Sequence, residues 1–199
     1  MLQYILTESQ RFSVAELCQM AIEGGCGWID LHLPELTDAD IRTAIEPEAI
    51  EMCRQAGVFL TVDDRPGLAR ELGLHGVRFT SAAGPDGVIS PETARGDLGP
   101  EAVIGFVTAD PSAAPAMAEA DIDYICTPDS MDAGRRREFI AAVRSRGCSI
   151  PVVAQGDITP DNAAAILAEG FSGLAVGKYI TDAPDPVGAV ADLLAAIQG

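Results

Sequence analysis

The feature that most constrains this chain is a phrase that recurs where its helical stretches end. Glu23-Gly24-Gly25-Cys26-Gly27-Trp28, Glu71-Leu72-Gly73-Leu74-His75-Gly76 and Glu169-Gly170-Phe171-Ser172-Gly173-Leu174 each run from a helix end through a glycine and a short gap to a second glycine and a strand. The first glycine suits the left-handed residue past a helix C-terminus; the second allows close chain approach where the strand begins. Such a joint serves a chain that alternates helix and strand through tight connections, and the alternation runs from end to end. Short β-branched or aliphatic runs predict strands at 3–6, 28–33, 58–62, 76–79, 103–107, 123–126, 152–154 and 174–176. Helical periodicity predicts helices at 14–23, 38–55 with a break at Pro47, 67–72, 91–97, 112–118, 132–146, 160–169 and 187–197.

Eight βα units of roughly 25 residues predict the α/β class and a (β/α)8 TIM barrel, with residues 1–199 as a single domain, although such barrels typically run to ~250 residues. A doubly wound open sheet is the alternative. No G-x-G-x-x-G follows the first strand, which argues against a dinucleotide fold, and the barrel is preferred.

Composition narrows the partners. With 48% hydrophobic and 22% charged residues the chain is ordinary globular material. Its 13 basic against 30 acidic residues leave a net charge of −17, a field that repels nucleic acid and anionic lipid alike, and no basic stripe relieves it. No apolar run approaches the ~18 residues that span a bilayer, and the N-terminus carries no basic segment followed by a cleavage site, so neither membrane nor nucleic acid is expected as a partner and a cytoplasmic location is. Five scattered cysteines without a CxxC fit reduced, buried thiols. An anionic small molecule stays open as a ligand, because backbone amides act locally whatever the global charge. A homo-oligomer is compatible with the sequence.

In a barrel the chemistry sits in the loops that follow the strands. After the seventh predicted strand, Gln155-Gly156-Asp157-Ile158-Thr159-Pro160 reads as a glycine turn into a helix capped by Thr159, and after the eighth, Gly177-Lys178 opens a short helix. Paired glycine turns at these two positions form the usual phosphate cradle of the fold, with Lys178 adding a full charge. Ordinary tight turns would read the same way. Asp63 and Asp64 follow the third strand; adjacent carboxylates point apart, so one can enter the mouth as a Mg2+ ligand while the other caps the next helix. Asp30 and His32 share one face of the second strand, predicted to point inward, where Asp30 would orient His32 as a general base. A buried hydrogen-bonded pair is the competing reading. His75 lies at the opposite end from the chemistry, and no zinc spacing or G-x-S-x-G elbow occurs.

Tyr4-Ile-Leu-Thr7, Gly24-Gly25, Asp64-Arg65, His75-Gly76-Val77, Ala94-Arg95, Ile104-Gly105, Asp123-Tyr124, Pro151-Val-Val-Ala and Gly173-Leu-Ala-Val, taken in order, resemble the thiamine phosphate synthase family, which includes the thiazole tautomerases. The resemblance covers nearly the whole chain and implies the same barrel. It also implies the family reaction, in which a hydroxymethylpyrimidine pyrophosphate is joined to a thiazole phosphate and pyrophosphate leaves with Mg2+. The expected ligand is thus a small phosphorylated heterocycle. Where the family has Gln-x-Arg-x-Lys for pyrimidine and pyrophosphate, this chain has Asp30, His32 and Pro34; where it has Asn-Asp-Arg, this chain has Asp63, Asp64 and Arg65, which keeps the metal-binding Asp at Asp64. The second metal carboxylate has no counterpart in Thr80-Ser81-Ala82-Ala83. The thiazole-phosphate loop shortens to Thr127-Pro128-Asp129-Ser130, with Thr127 as its phosphate-binding hydroxyl, and the paired glycines become Gly156-Asp157. The resemblance therefore implies Asp30, His32 and Arg65 as the catalytic set, with coupling activity weak or lost. The alternatives are a tautomerase-like isomerase using His32, since the histidine expected after strand five is absent, and a non-catalytic barrel that binds a phosphorylated metabolite.

Overall fold

A computed structural model describes residues 1–45, 47–80 and 91–198, with the side chains of 91 and 92 left aside. Its strands are β1 (Leu2–Leu6), β2 (Trp28–Leu31), β3 (Phe59–Asp63), β4 (Gly76–Phe79), β5 (Val103–Val107), β6 (Tyr124–Cys126), β7 (Val152–Gln155) and β8 (Gly173–Val176). All pair in parallel in chain order, and β8 returns to β1 to close the barrel. The helices between them are α1 (Val14–Glu23), α2 (Asp38–Ile45), α3 (Glu48–Ala56), α4 (Pro66–Leu72), α5 (Pro91–Leu98), α6 (Ala114–Glu119), α7 (Ala133–Ser145), α8 (Pro160–Ala168), α9 (Lys178–Thr181) and α10 (Pro186–Gln198). Every predicted strand and helix is present within a few residues of its expected ends. The long stretch 38–55 divides into α2 and α3 with Pro47 as the cap of α3, because a proline can begin a helix but not continue one. No helix among the described residues is long and apolar enough to cross a membrane.

The recurring phrase does what its composition suggests in two of its three occurrences. Gly73 and Gly170 take positive φ at helix ends, and a Cβ at Gly76 or Gly173 would lie 1.9 Å from Val103 O or 2.8 Å from Met1 Cε. In the first occurrence Gly25 takes the positive φ, but nothing crowds Gly27.

The pleat sorts each strand into an outward face that packs on the helices and an inward face that fills the barrel. Tyr4, Leu6, Ile29, Leu31, Leu60, Val62, Val77, Ile104, Ile125, Val152, Leu174 and Val176 belong to the large outer core. The interior is divided. Ile5, Tyr124, Cys126, Val153 and Ala175 form an apolar half on β1 and β6–β8. Asp30, Thr61, Asp63 and Arg78 bring charge and hydroxyl into the half formed by β2–β4, all 3% exposed or less. Gly105 makes room between the halves, since any side chain there would overlap the Tyr124 ring at 2.2–2.5 Å. The five cysteines are free and buried.

Candidate functional site

Strand register builds the charged half. Asp30 pairs with Thr61 across β2 and β3, and Asp63 pairs with Arg78 across β3 and β4. Arg78 holds Asp63 through two bonds, Nε to Oδ1 and Nη2 to Oδ2, both 2.7 Å, and its Nη1 donates to Gln155 Oε1 at 2.9 Å. Two parallel guanidinium–carboxylate bonds are the strong form of this pairing. Asp30 accepts from Thr61 Oγ1 at 2.5 Å and lies 3.0 Å from Arg78 Nε. That Nε–H is directed at Asp63, so the Asp30 contact is one of charge only and its Oδ2 has no hydrogen-bond donor.

Two carboxylates around one guanidinium divide the work between them. Burial and the neighbouring Asp63 charge push Asp30 well above the usual carboxylate range, with Arg78 opposing. Burial alone would raise Asp63 too, but the charge and hydrogen bonds of Arg78, helped by His32, hold it down at about 2. Asp30 is thus the member that keeps a proton, and a proton on Oδ2 turns an unsatisfied acceptor into a donor toward Asp63. The folding consequence has opposite signs for the two. Asp63, depressed from 3.8 to about 2, contributes stability above pH 3.8 that is lost as pH falls through about 2, some 2 kcal/mol in all. Asp30, raised, contributes a loss of stability as pH climbs above 3.8. Urea unfolding of Asp30→Asn should therefore keep the acid limb and lose the alkaline one; an unchanged slope above pH 4 would contradict the assignment.

His32 sits at the rim, its side chain 37% exposed, with Nδ1 2.5 Å from Asp63 Oδ2. An ionised carboxylate only accepts, so Nδ1 carries the proton and Nε2 is left for the mouth. The sequence expectation that Asp30 orients His32 is corrected here. Residues two apart on a strand face lie about 7 Å apart along it, which leaves Asp30 deep in the barrel and brings the end of β3 level with His32. Arg65 does not join the cluster: its Nε and Nη2 bind Asp38 Oδ1 at 2.8 Å and Leu36 O at 2.7 Å. Neither Asp63 nor Asp64 caps α4, whose cap position is Arg65 without a side-chain bond. Asp64 takes φ 55° and turns its carboxylate to Thr80, accepting from the amide at 2.9 Å and from the hydroxyl.

Among the described residues, the carboxylates offered for Mg2+ are already engaged within the protein. Such an ion takes one or two carboxylates, several waters and substrate phosphates. Both oxygens of Asp63 are held by Arg78 and His32, both of Asp64 by Thr80, and no group of three acidic, histidine or cysteine ligands forms among the described residues. Ser81–Ala83, where a second carboxylate was sought, lies outside the described residues.

The predicted cradle lies across the mouth from this network. Gly156, Asp157, Gly177 and Lys178 line one cleft of about 400 Å³ together with Asp129, Ile158, Thr159 and Tyr179. Lys178, the only lysine of the chain, is exposed and in no ion pair among the described residues. Thr127 is not part of the cleft. It is fully buried and its Oγ1 accepts from the Gln155 amide at 2.9 Å, clamping β6 to β7. Gly156 takes φ 126°, and a Cβ there would meet Arg136 Nη1 at 2.6 Å and Asp129 O at 3.0 Å, so the position requires glycine because of what lies beneath it rather than what would bind above. Arg136 and Gln155, which complete these contacts, were not singled out from the sequence. Arg136 stands in a run of three arginines that gives no sign of which one is buried.

A family model described as thiamine monophosphate synthase matches residues 3–180. The thiamine-phosphate synthase of Natronomonas pharaonis is 34% identical over 196 residues, covering 94% of this chain and 89% of that one. The enzyme of the same description from Bacteroides fragilis is 29% identical over 204 residues, covering 94% of each. Among solved structures, thiamine phosphate pyrophosphorylase from Pyrococcus furiosus superposes with a TM-score of 0.81 at 23% identity, covering 98% of this chain and 95% of that one, a likeness of fold.

Proposed function

The chain belongs to the thiamine monophosphate synthase family, and on that premise we propose that its barrel holds a thiazole phosphate in the β7–β8 cleft while coupling to a pyrimidine pyrophosphate has become slow. The observation that carries this reading is the division of charge across the mouth. On the β7–β8 side Lys178 makes no ion pair among the described residues, although Asp129 and Asp157 line the same cleft, and it stands beside two glycine turns, an arrangement suited to a phosphate monoester. On the β2–β4 side the described cations at the mouth are already committed: Arg78 to Asp63 and Asp30, Arg65 to Asp38. Pyrophosphate departure builds negative charge that needs preorganised donors at that point. With Asp30, His32 and Pro34 standing where the resemblance expects Gln, Arg and Lys, that side offers an internal ion-pair network instead.

In this reading His32 presents Nε2 to the heterocycle, and Asp63 fixes its tautomer and ring orientation. Asp30 is too deep to touch a ligand and acts through Arg78. Asp129 and Asp157 line the cleft beside Lys178, so its acidic side chains outnumber its one lysine, which disfavours a highly charged diphosphate more than a monoester. Calorimetric titration with thiazole phosphate tests the reading: saturable one-to-one binding is expected, and no heat or thermal shift at millimolar ligand would refute it.

A further inference from the structure

The cleft has a second, hidden cation. Arg136, in the first turn of α7, is 3% exposed. A buried guanidinium is normally matched by a carboxylate. This one has no ion pair among the described residues: Nη1 donates to Met131 O and Gln155 O, both at 3.1 Å, and Nε has no partner at all. Asp132, the nearest acidic residue in sequence, is occupied in capping α7, its Oδ1 accepting from the Arg135 amide at 3.0 Å. The Asp132 charge reaches it only through space, and no carboxylate bonds to it among the described residues, so its burial lacks a hydrogen-bonded counter-ion.

The Gln155 carbonyl supplies the link to the cleft. It belongs to the same peptide unit as the Gly156 amide, and in a trans peptide the C=O and N–H point in opposite directions. With the carbonyl directed down at Arg136, the Gly156 N–H is directed away from it, and that N–H donates to no backbone acceptor among the described residues. Gly156 lines the cleft. A cation on the carbonyl polarises the peptide and makes its N–H a stronger donor, as in any hydrogen-bonded chain. The φ of 126° at Gly156 and the absence of its side chain are what let the guanidinium lie this close.

We propose that Arg136 is a positioning residue for anion binding, delivering its buried charge to the cleft through the Gln155–Gly156 peptide. The inference rests on the cleft being the phosphate site proposed above, and it adds the source of the charge on its β7 side. Lys178 then approaches the anion from the β8 side as a mobile point charge, and Arg136 acts from below as a fixed one. The arrangement selects an anion small enough to reach the Gly156 amide, which a phosphate monoester does.

The test uses the full chain labelled with 15N and titrated with inorganic phosphate, comparing wild type, Arg136→Met and Arg136→Lys. In the wild type the Gly156 amide proton should move downfield in step with saturation. Arg136→Met should bind about tenfold more weakly with a smaller Gly156 shift, and Arg136→Lys should recover part of both, because a charge returns near the Gln155 carbonyl. Equal affinity in a folded Arg136→Met would overturn the role of Arg136 and leave the cleft reading intact. Should Arg136→Met fail to fold, the wild type still decides: a Lys178 amide that responds beside a Gly156 amide that does not would equally overturn it. No response at either amide would remove the cleft reading and this inference together.

Discussion

Replacing Arg78 with methionine is expected to destabilise the fold by about 3–5 kcal/mol, the range for removing one partner of a buried ion pair. The guanidinium is 1% exposed and is the hub of the barrel's charged half, with two bonds to Asp63, one to Gln155 and a 3.0 Å contact to Asp30. Its loss leaves the Asp63 charge buried beside a protonated Asp30, and Asp63 must then also take up a proton that the unfolded chain has released above about pH 4. The variant should accordingly gain more stability than the wild type as pH falls toward 4, and should lose the acid limb that Asp63 gives the wild type below that pH. Asp63→Leu added to Arg78→Met should recover much of the loss, because an apolar replacement of a whole buried pair is often neutral while half a pair is not. Urea denaturation at pH 5 and 7 measures all three proteins. A loss below about 1 kcal/mol for Arg78→Met would mean that water or rearrangement already solvates the network.

Lys178→Met should weaken thiazole phosphate binding by ten- to more than a hundredfold, with little change in stability. A charge-assisted hydrogen bond is worth about 1.5–3 kcal/mol, and each 1.4 kcal/mol is a factor of ten in affinity. The side chain is exposed and makes no ion pair among the described residues, so its removal leaves no orphaned partner in the protein. Methionine keeps most of the length and apolar stem, which isolates the charge. Unchanged affinity for a ligand that competes with inorganic phosphate would place the phosphate on backbone amides alone.

The barrel was legible because its signal is repeated. Alternating runs and the glycine joints recur often enough that one weak unit, such as 112–118, is carried by its neighbours; that unit proves to be a 3-10 turn at Pro111–Ala113 followed by α6. The inward direction of Asp30 and His32 was legible too, since a strand's pleat sorts alternate residues whatever its partner is. Their partners were not legible. Which residue of β3 stands level with His32 depends on register between strands that are 31 residues apart, and no local pattern encodes it. Arg78 is a charge within the apolar run Val77-Arg78-Phe79, and its pairing with Asp63 is again a matter of register. Thr127 differs from its expected place for another reason. A hydroxyl after a strand reads as a ligand-binding group, whereas here it satisfies the Gln155 amide where β6 has already ended.

The division of charge across the mouth predicts a division of function, binding retained and coupling impaired, and coupling is the direct test. Pyrophosphate release should be followed with pyrimidine pyrophosphate, thiazole phosphate and Mg2+ all saturating, beside a relative that carries the Gln-x-Arg-x-Lys pattern. Each lost charge-stabilising donor is of a class worth about 10²–10³ in kcat. The expected result is turnover at least about a thousandfold slower than the relative, with thiazole phosphate bound at comparable affinity. Turnover within about tenfold of the relative would contradict the account, because it would mean that the Asp30–Arg78–Asp63–His32 network, or residues beyond it, stabilises the leaving pyrophosphate after all.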